Sequence, residues 1–406
     1  MRILHSSDWH LGQHFMGKTR QAEHQAFLAW LIEQVQAQQV DAVLVAGDIF
    51  DTGAPPSYAR ELYNHFIVEL RQSGAELLVL GGNHDSVAML GESKTLLAQL
   101  NTRVIPSVCA ELEEQVLVLR NRTGQPGAIL CAIPFIRPRD VLFSQAGESA
   151  QTKQQNLQSA IQQHYQHLYA LACAKRDALG GQLPIIATGH LTTVGASASE
   201  SVREIYVGSL EAFPSSAFPP AAYIALGHIH RPQKVGGLEH IRYCGSPIPL
   251  SFDEAKQQKE VLLVDVTSAG LQQVKVLPVP RFQPLLSLRG SLSELPAAIG
   301  EAAKQGTAQT PVWLEVLVTA DDYLSDLQPR LQVLCEGLPV EVLRIRRERG
   351  TAVAGLTSAT RETLDELSVI DVFAQRLSSE SLEPEVQARL VGLYQQVVAE
   401  LAEEPV

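Results

Sequence analysis

Apolar residues in the first part of the chain come in short runs separated by helical patterns. Ile3 to His5, Ala42 to Ala46 and Leu77 to Leu80 read as buried strands, and Arg20 to Gln39 and Ser57 to Ser73 repeat apolar positions at helical spacing. This βαβαβ alternation predicts an α/β domain whose sites lie in loops beyond the carboxyl ends of the strands. The pattern loosens through Arg103 to Leu119, where short strands are expected, and returns at Ala128 to Ile133 before Pro134 stops it. A long helix is predicted from Thr152 to Leu179, ended by Gly180-Gly181. Ile185 to Thr188 and Tyr223 to Leu226 repeat the design of strand followed by polar loop, and Val261 to Val266 adds a strand to a first unit expected over residues 1–275.

A linker is expected around Pro278 to Pro284. Beyond it Leu285 to Arg289, a helix from Leu292 to Ala303, Val312 to Thr319, a helix near Leu324 to Leu334 and Val340 to Arg346 suggest a small β-α-β-α-β unit over 281–348. Residues 349–406 read as a small, polar linker followed by two helices, about Thr360 to Ser379 and Pro384 to Glu403. Leu364, Leu367, Val369, Ile370, Phe373 and Leu377 fill one face of the first, which either packs on its own chain or docks on a partner helix.

Composition narrows the class. With 406 residues and 45% apolar content the chain can bury a sizeable core in two or three domains. Met1 leads straight into a strand without the pattern of a signal peptide, and no apolar run approaches the ~20 residues of a membrane span, so the expected location is the cytoplasm, without a membrane partner. The five cysteines, Cys109, Cys131, Cys173, Cys244 and Cys335, are odd in number and widely spaced, which predicts buried free thiols rather than disulfides or a thiolate metal site. A formal charge of -12 argues against a uniformly basic surface, although a local groove, bound cations or a partner can still attract nucleic acid.

The polar loops carry the chemistry. Asp8-Trp9-His10, Gly47-Asp48, Gly82-Asn83-His84-Asp85, Gly189-His190 and Gly227-His228-Ile229-His230 each follow a predicted strand, and together they offer Asp, Asn and His without Cys. If strand geometry persists, Asp8 and His10 project to one side and can grip one ion. Oxygen and imidazole donors in this number suit two ions such as Mn²⁺, Fe²⁺, Zn²⁺ or Mg²⁺, with Asp48, central in the set, as the bridge. Two ions ~3.5–4 Å apart activate water and stabilise the attacking and leaving oxygens of a phosphoryl displacement. His84, adjacent to Asn83, should point differently and is the candidate proton donor, with Asp85 orienting it. Taken singly each His is more simply a satisfied surface or core residue, and it is their joint occurrence at strand ends that changes the reading.

This ordered set is similar to that of the calcineurin-like metallophosphoesterase superfamily. His5-Ser6-Ser7-Asp8-Trp9-His10-Leu11-Gly12, Gly47 to Asp51, Gly81 to Ser86 and Tyr243-Cys244-Gly245-Ser246-Pro247 further resemble the SbcD family of nuclease subunits, along essentially the whole chain. The resemblance implies a β-sandwich flanked by helices, a small α/β capping domain and a C-terminal helical tail. It implies Asp8, His10, Asp48 and His230 on one ion, Asp48, Asn83, His190 and His228 on the other, and His84 as acid or transition-state stabiliser. The ions would be two Mn²⁺, with Mg²⁺ or another divalent ion as substitutes. It also implies a homodimer formed through the nuclease domain, and a heterotetramer with two copies of a coiled-coil ATPase of the SbcC type on which the C-terminal helices dock. The activity implied is ATP-dependent cutting of DNA ends, hairpins and single strands in repair and recombination.

For DNA contact the residues give Arg137, Arg139, Arg203 and Arg231 near the loops, and Arg344, Arg346, Arg347 and Arg349 after the second unit, against the plainer reading of solvated faces. The same centre also serves phosphomonoesterases and cyclic-nucleotide phosphodiesterases, and a non-catalytic scaffold can keep the fold. The extra unit and tail speak against the former, the complete ligand set against the latter.

Overall fold

The computed structural model describes residues 1–142, 149–202, 212–319, 327–347, 389–391, 393 and 394. Two six-stranded sheets form its centre. The first runs, edge to edge, Gly270–Pro278, Glu260–Thr267, Arg2–Ser6, Ala42–Val45, Glu76–Leu80 and Thr102–Ile105. Its last four strands are parallel, joined in register such as Ile3 opposite Ala42, and Glu260–Thr267 pairs antiparallel to Arg2–Ser6. The second runs Gln233–Lys234, Ile241–Tyr243, Tyr223–Gly227, Ile185–His190, Pro126–Cys131 and Val116–Arg120, parallel in its four central strands.

Burial on both faces explains the unbroken apolar runs. Ile3, Leu44, Leu78 and Leu80 of the first sheet meet Leu130, Ile186 and Ala225 of the second to form the layer between them. Helices Gln21–Ala37 and Ser57–Gln72 cover the outer face of the first sheet through Phe27, Leu31, Val35, Phe66 and Leu70. Helix Ala150–Ala178 covers the second through Leu157, Ile161, Tyr165, Leu168 and Ala172, whose spacing of three and four residues makes one apolar stripe. Each such large side chain contributes roughly 1.5–3 kcal/mol by burial. Ser149 caps this helix by accepting from the Thr152 amide at 3.1 Å. Its end is set by Gly180 and Gly181, both at positive φ, with the Gly181 amide donating to the Arg176 carbonyl at 2.9 Å.

The loosened stretch after Arg103 is where the chain passes from one sheet to the other, with Thr102–Ile105 an edge of the first and Val116–Arg120 an edge of the second. The strand Gly270–Pro278, not expected from the sequence, is an edge whose Leu271, Val274 and Leu277 are interrupted by the solvent-facing Gln272, Gln273 and Lys275.

Leu285–Gly290, Val312–Val318 and Val340–Arg347 make a separate parallel three-stranded sheet with helices Leu295–Ala303 and Leu327–Cys335 and a core of its own. It is fastened to the sandwich by Trp313, stacked on Phe15 at 5.8 Å, by Phe252 behind Phe15, and by ion pairs Lys18–Glu341 at 2.7 Å and Arg344–Glu200 at 3.7 Å. Of the expected C-terminal helices, Thr360 to Ser379 lies outside the described residues, and only five positions of Pro384 to Glu403 fall within them. All five cysteines are free, but only Cys131 and Cys244 are buried; the other three are half-buried, which corrects the uniform burial expected. No helix among the described residues is long and apolar enough to cross a membrane.

Candidate metal centre

The loops leaving the two sheets meet at one edge of the sandwich. Asp8, His10, Asp48, His190, His228 and His230 are each no more than 2% exposed, so their charges and dipoles must be matched by one another or by a bound group. Main-chain bonds hold the loops in step: the Asp8 amide donates to the Gly47 carbonyl at 3.0 Å and the His10 amide to the Asp48 carbonyl at 3.1 Å. Side chains bind loops to one another as well, with Asp8 Oδ1 accepting from the His228 amide and Asp48 Oδ1 from the His84 amide, both at 2.9 Å.

Asp8 and His10 do share a side, but not by strand alternation. The strand ends at Ser6, and both residues sit in the left-handed region, with φ 53° and 46°. Asp48 at φ 52° and His228 at φ 92° do the same. Each such residue costs of order 1–3 kcal/mol and persists only where its surroundings dictate it. Here the turns reverse the chain so that consecutive polar side chains re-enter the site. Two glycines make room: a Cβ at Gly82 would overlap Asp48, and Gly47, at φ 95°, faces the His190 ring.

The donors converge on Asp48. Its Oδ2 lies 3.2 Å from His190 Nε2 and 3.6 Å from His10 Nε2, so one oxygen stands between two imidazoles of different loops. Asn83 Oδ1 lies 2.9 Å from His190 Nε2 and 3.2 Å from His228 Nδ1. Three sets of ligand atoms, each within 4.8 Å of one another, emerge among the described residues: Asp8, His10 and His230; His10, Asp48 and His84; Asp48, His190 and His228. His10 Nε2 and His228 Nε2 are buried without a hydrogen-bond partner, a costly state for a polar atom that a cation relieves. The donor set of imidazole, carboxylate and amide oxygen fits divalent transition ions.

Electrostatics point the same way. Burial alone would lower His190, but the Asp48 carboxylate and its hydrogen bond, with Asp8 nearby, more than offset this and raise it to about 9. His10 is likewise raised, against burial, by its bond to Asp51 and by Asp48 and Asp8. Asp48 is held well below the usual carboxylate range, against burial, by His190, His10 and His84. His228 falls well below its ordinary value through burial and the neighbouring His190. The carboxylates thus demand positive charge, while a neutral imidazole keeps a lone pair on offer.

One expected assignment changes. Asp85 does not stand behind His84: burial and Asp48 raise it to about 6, and its oxygens accept from the amides of Ile49, Phe50 and Gly82, which ties the two loops together. His84 Nδ1 instead faces the Asp51 carbonyl at 2.7 Å. A carbonyl only accepts, so Nδ1 carries the hydrogen and Nε2 is left toward the cluster. Asp51 also meets His10 Nδ1 at 3.2 Å through its carboxylate. It lies in the stretch Gly47 to Asp51 but was assigned no role from sequence, because a residue three positions after Asp48 gives no directional signal.

Of the basic residues, Arg137 donates to the Asp85 carbonyl at 3.3 Å, lies over the Phe135 ring, and keeps Nη1 buried without a partner. Arg231 is exposed and donates to Ser197 Oγ at 3.2 Å. Arg139 pairs loosely with Asp140 at 3.9 Å and points to solvent. Arg344 and Arg346 are engaged by Glu315, and Arg344 also by Glu200; Arg347 ends the last described strand, and Arg203 and Arg349 lie outside the described residues.

Comparison with known proteins agrees with this geometry. Residues 1–232 match the family described as Calcineurin-like phosphoesterase, and residues 281–381 match a Type 5 capsule protein repressor C-terminal domain, designated SbcD_C. The SbcD subunit of the SbcCD nuclease of Escherichia coli (strain K12) is 55% identical over 405 residues, covering 100% of this chain and 99% of the relative. The proteins of the same name in Rhodobacter capsulatus, 35% identical over 89% of this chain and 88% of the relative, and Bacillus subtilis, 28% identical over 80% and 81%, are also similar.

Proposed function

Because this chain belongs to the SbcD family of calcineurin-like phosphoesterases, we propose that it is a nuclease subunit that hydrolyses DNA phosphodiester bonds at a two-metal centre. The single observation that carries the two-metal reading is Asp48 Oδ2 standing between His10 Nε2 and His190 Nε2. Asp8, His10, Asp48 and His230 would hold one ion, and Asp48, Asn83, His190 and His228 the other. Bound there, two divalent ions supply an activated water and neutralise charge on the attacking and leaving oxygens. Mn²⁺ is the ion proposed, on the mix of imidazole and oxygen donors.

The remaining steps belong to the chain. His84 would act as the imidazolium: its Nδ1–H stays on the Asp51 carbonyl, its Nε2–H is given to the departing alkoxide, and the ring is left as the neutral Nδ1–H form. Asp85 contributes indirectly, by fixing the Asn83-His84 loop against Ile49 and Phe50. Arg231, exposed at the rim, and Arg137, beside that loop through its bond to the Asp85 carbonyl, are the residues proposed to grip a DNA phosphate. Arg139 is the weakest member of this group because its side chain faces away toward Asp140.

The proposed organisation is a nuclease unit over residues 1–275, a DNA-guiding cap over 281–348 and a partner-docking tail over 349–406. The partner is a coiled-coil ATPase of the SbcC type in a two-plus-two assembly, with the nuclease unit forming the homodimer, and the assembly works on DNA ends and hairpins in the cytoplasm. Purified chain with its ATPase, Mn²⁺, ATP and a labelled hairpin duplex tests this. Hairpin opening and end degradation are expected. Rapid hydrolysis of a small phosphate ester with intact DNA would replace the nuclease by a small-molecule phosphoesterase. Truncation after about Gly350 is expected to leave metal binding and abolish co-purification with the ATPase.

A further inference from the structure

Behind His230 lies a polar network that the mechanism above does not use. His230 Nδ1 is 2.6 Å from Ser201 Oγ, which is 2.5 Å from Glu254 Oε1. Glu254 is 0% exposed, and Lys259, whose Nζ donates to Glu254 Oε2 at 2.6 Å, is 3% exposed. Ser199 Oγ adds a bond to Oε1 at 2.6 Å and the Leu250 amide one to Oε2 at 3.0 Å. The ammonium is satisfied in turn, by the His230 carbonyl at 2.9 Å and Ser246 Oγ at 3.0 Å. His230 is therefore gripped twice, through its ring by Glu254 and through its main chain by Lys259.

A buried ion pair gains little stability over an apolar pair of the same size, because desolvation offsets its attraction. Its position behind a candidate ligand is the informative fact. A metal-binding imidazole presents a lone pair at one nitrogen and donates the other N–H to a carboxylate, carbonyl or water, which fixes the tautomer and the ring's rotation. With Nδ1 facing Ser201, the hydrogens run one way: Nδ1–H donates to Ser201 Oγ, and the serine hydroxyl, having one hydrogen, donates to Glu254. Nε2 is then the free nitrogen on the side of Asp8 and His10.

We propose that Glu254, acting through Ser201 with Lys259 as its counter-ion, is the positioning residue for His230 and sets the affinity of the ion shared by Asp8, His10, Asp48 and His230. This rests on the two-metal reading given above. The source of this grip is far from the ligand in sequence, on the short turn Phe252–Glu254, whose Phe252 also packs against Phe15 beneath the capping unit.

Titration of the purified full-length chain with Mn²⁺, followed by the electron paramagnetic resonance signal of the free ion, tests it in the wild type, Ser201→Ala, Ser201→Thr and Glu254→Gln. Two ions are expected in the wild type. Ser201→Ala, which removes only the relay and leaves the buried ion pair, should weaken one of the two by about 10–100-fold and spare the other. Ser201→Thr, which restores a hydroxyl, should recover it. The Mn²⁺ concentration giving half-maximal DNA cleavage by Ser201→Ala should rise by the same factor, with kcat at saturating Mn²⁺ close to the wild type. Glu254→Gln should follow Ser201→Ala, and the two serine variants decide the matter if it fails to fold. Unchanged affinity for both ions in Ser201→Ala, or equal weakening of both, overturns the proposal. A wild-type chain that binds fewer than two ions sinks the two-metal reading, and this one with it.

Discussion

His190 ends one second-sheet strand and His230 lies just beyond the end of its neighbour, yet they are held by different means. His190 Nδ1 donates to the Ala46 carbonyl at 2.9 Å, a partner that no substitution can delete. His230 Nδ1 is held through Ser201 and Glu254, both of which substitution can remove. The Asp48–His190 half of the centre is thus written into the meeting of two backbones, and the Asp8–His230 half into side chains recruited from distant turns. The seat of the His190 ring can be disturbed only by moving main chain, while that of the His230 ring is open to single-residue tuning.

Asp48 belongs to both halves, so removing it gives the largest expected effect. Asp48→Ala should lose both ions and all cleavage, whereas Asp8→Ala should lose chiefly the ion on the His230 side. Metal counted per chain after dialysis against Mn²⁺ checks this, and retention of one tightly held ion by Asp48→Ala would break the bridge. Next in size is His84→Gln, which should cut cleavage by about 10²–10⁴ while keeping two ions and DNA binding. If that variant loses an ion instead, His84 joins His10 and Asp48 as a ligand, for which it is close enough.

How far these halves could be read in the sequence follows from the same contrast. The strand ends were legible because strands buried on both faces are unbroken apolar runs, and each delivers a polar loop at its carboxyl end. Hence Asp8, Asp48, Asn83, His190 and His228 stood out together. The supporting residues did not. Ser201 and Glu254 look like ordinary polar residues, and only the packed loops bring Glu254 to the ligand's ring. Asp85 was misjudged because adjacency to His84 suggested a dyad, whereas its carboxylate turns the other way to collect three amides. The edge strand Gly270–Pro278 was not read because solvent-facing Gln272, Gln273 and Lys275 break up its apolar positions and leave no continuous run.

A main-chain seat should yield to a main-chain change. Gly47→Ala places a Cβ against the His190 ring at a position with φ 95°, so both the clash and the backbone oppose it. It should destabilise the fold by about 1–3 kcal/mol and weaken the ion on the His190 side. Thermal unfolding in chelator, paired with Mn²⁺ titration, separates the two effects. If Gly47→Ala instead weakened the His230-side ion alone, the division of the centre into two independently held halves would fail.

The smallest expected effect concerns histidines that carry no candidate ligand role. His10 and His190 are raised because carboxylates face them, but His24 is pushed down to about 3, first by burial and then by the charges of Arg20 and His10. Its folded value lies below its ordinary 6.5, so the unfolded chain binds the extra proton. The stability it confers is present above pH 6.5 and is lost as pH falls toward 3, with a slope of about 1.4 kcal/mol per pH unit in that window. Urea unfolding of chelated protein at pH 7 and pH 5 should therefore show a loss of roughly 2 kcal/mol from this group, which His24→Leu should abolish. An identical pH dependence in His24→Leu would mean that His24 takes up its proton alike in the folded and unfolded chain. The charge of Asp51 would then be offsetting the burial of His24, and the contrast between carboxylate-faced and buried neutral histidines would no longer separate the centre from its surroundings.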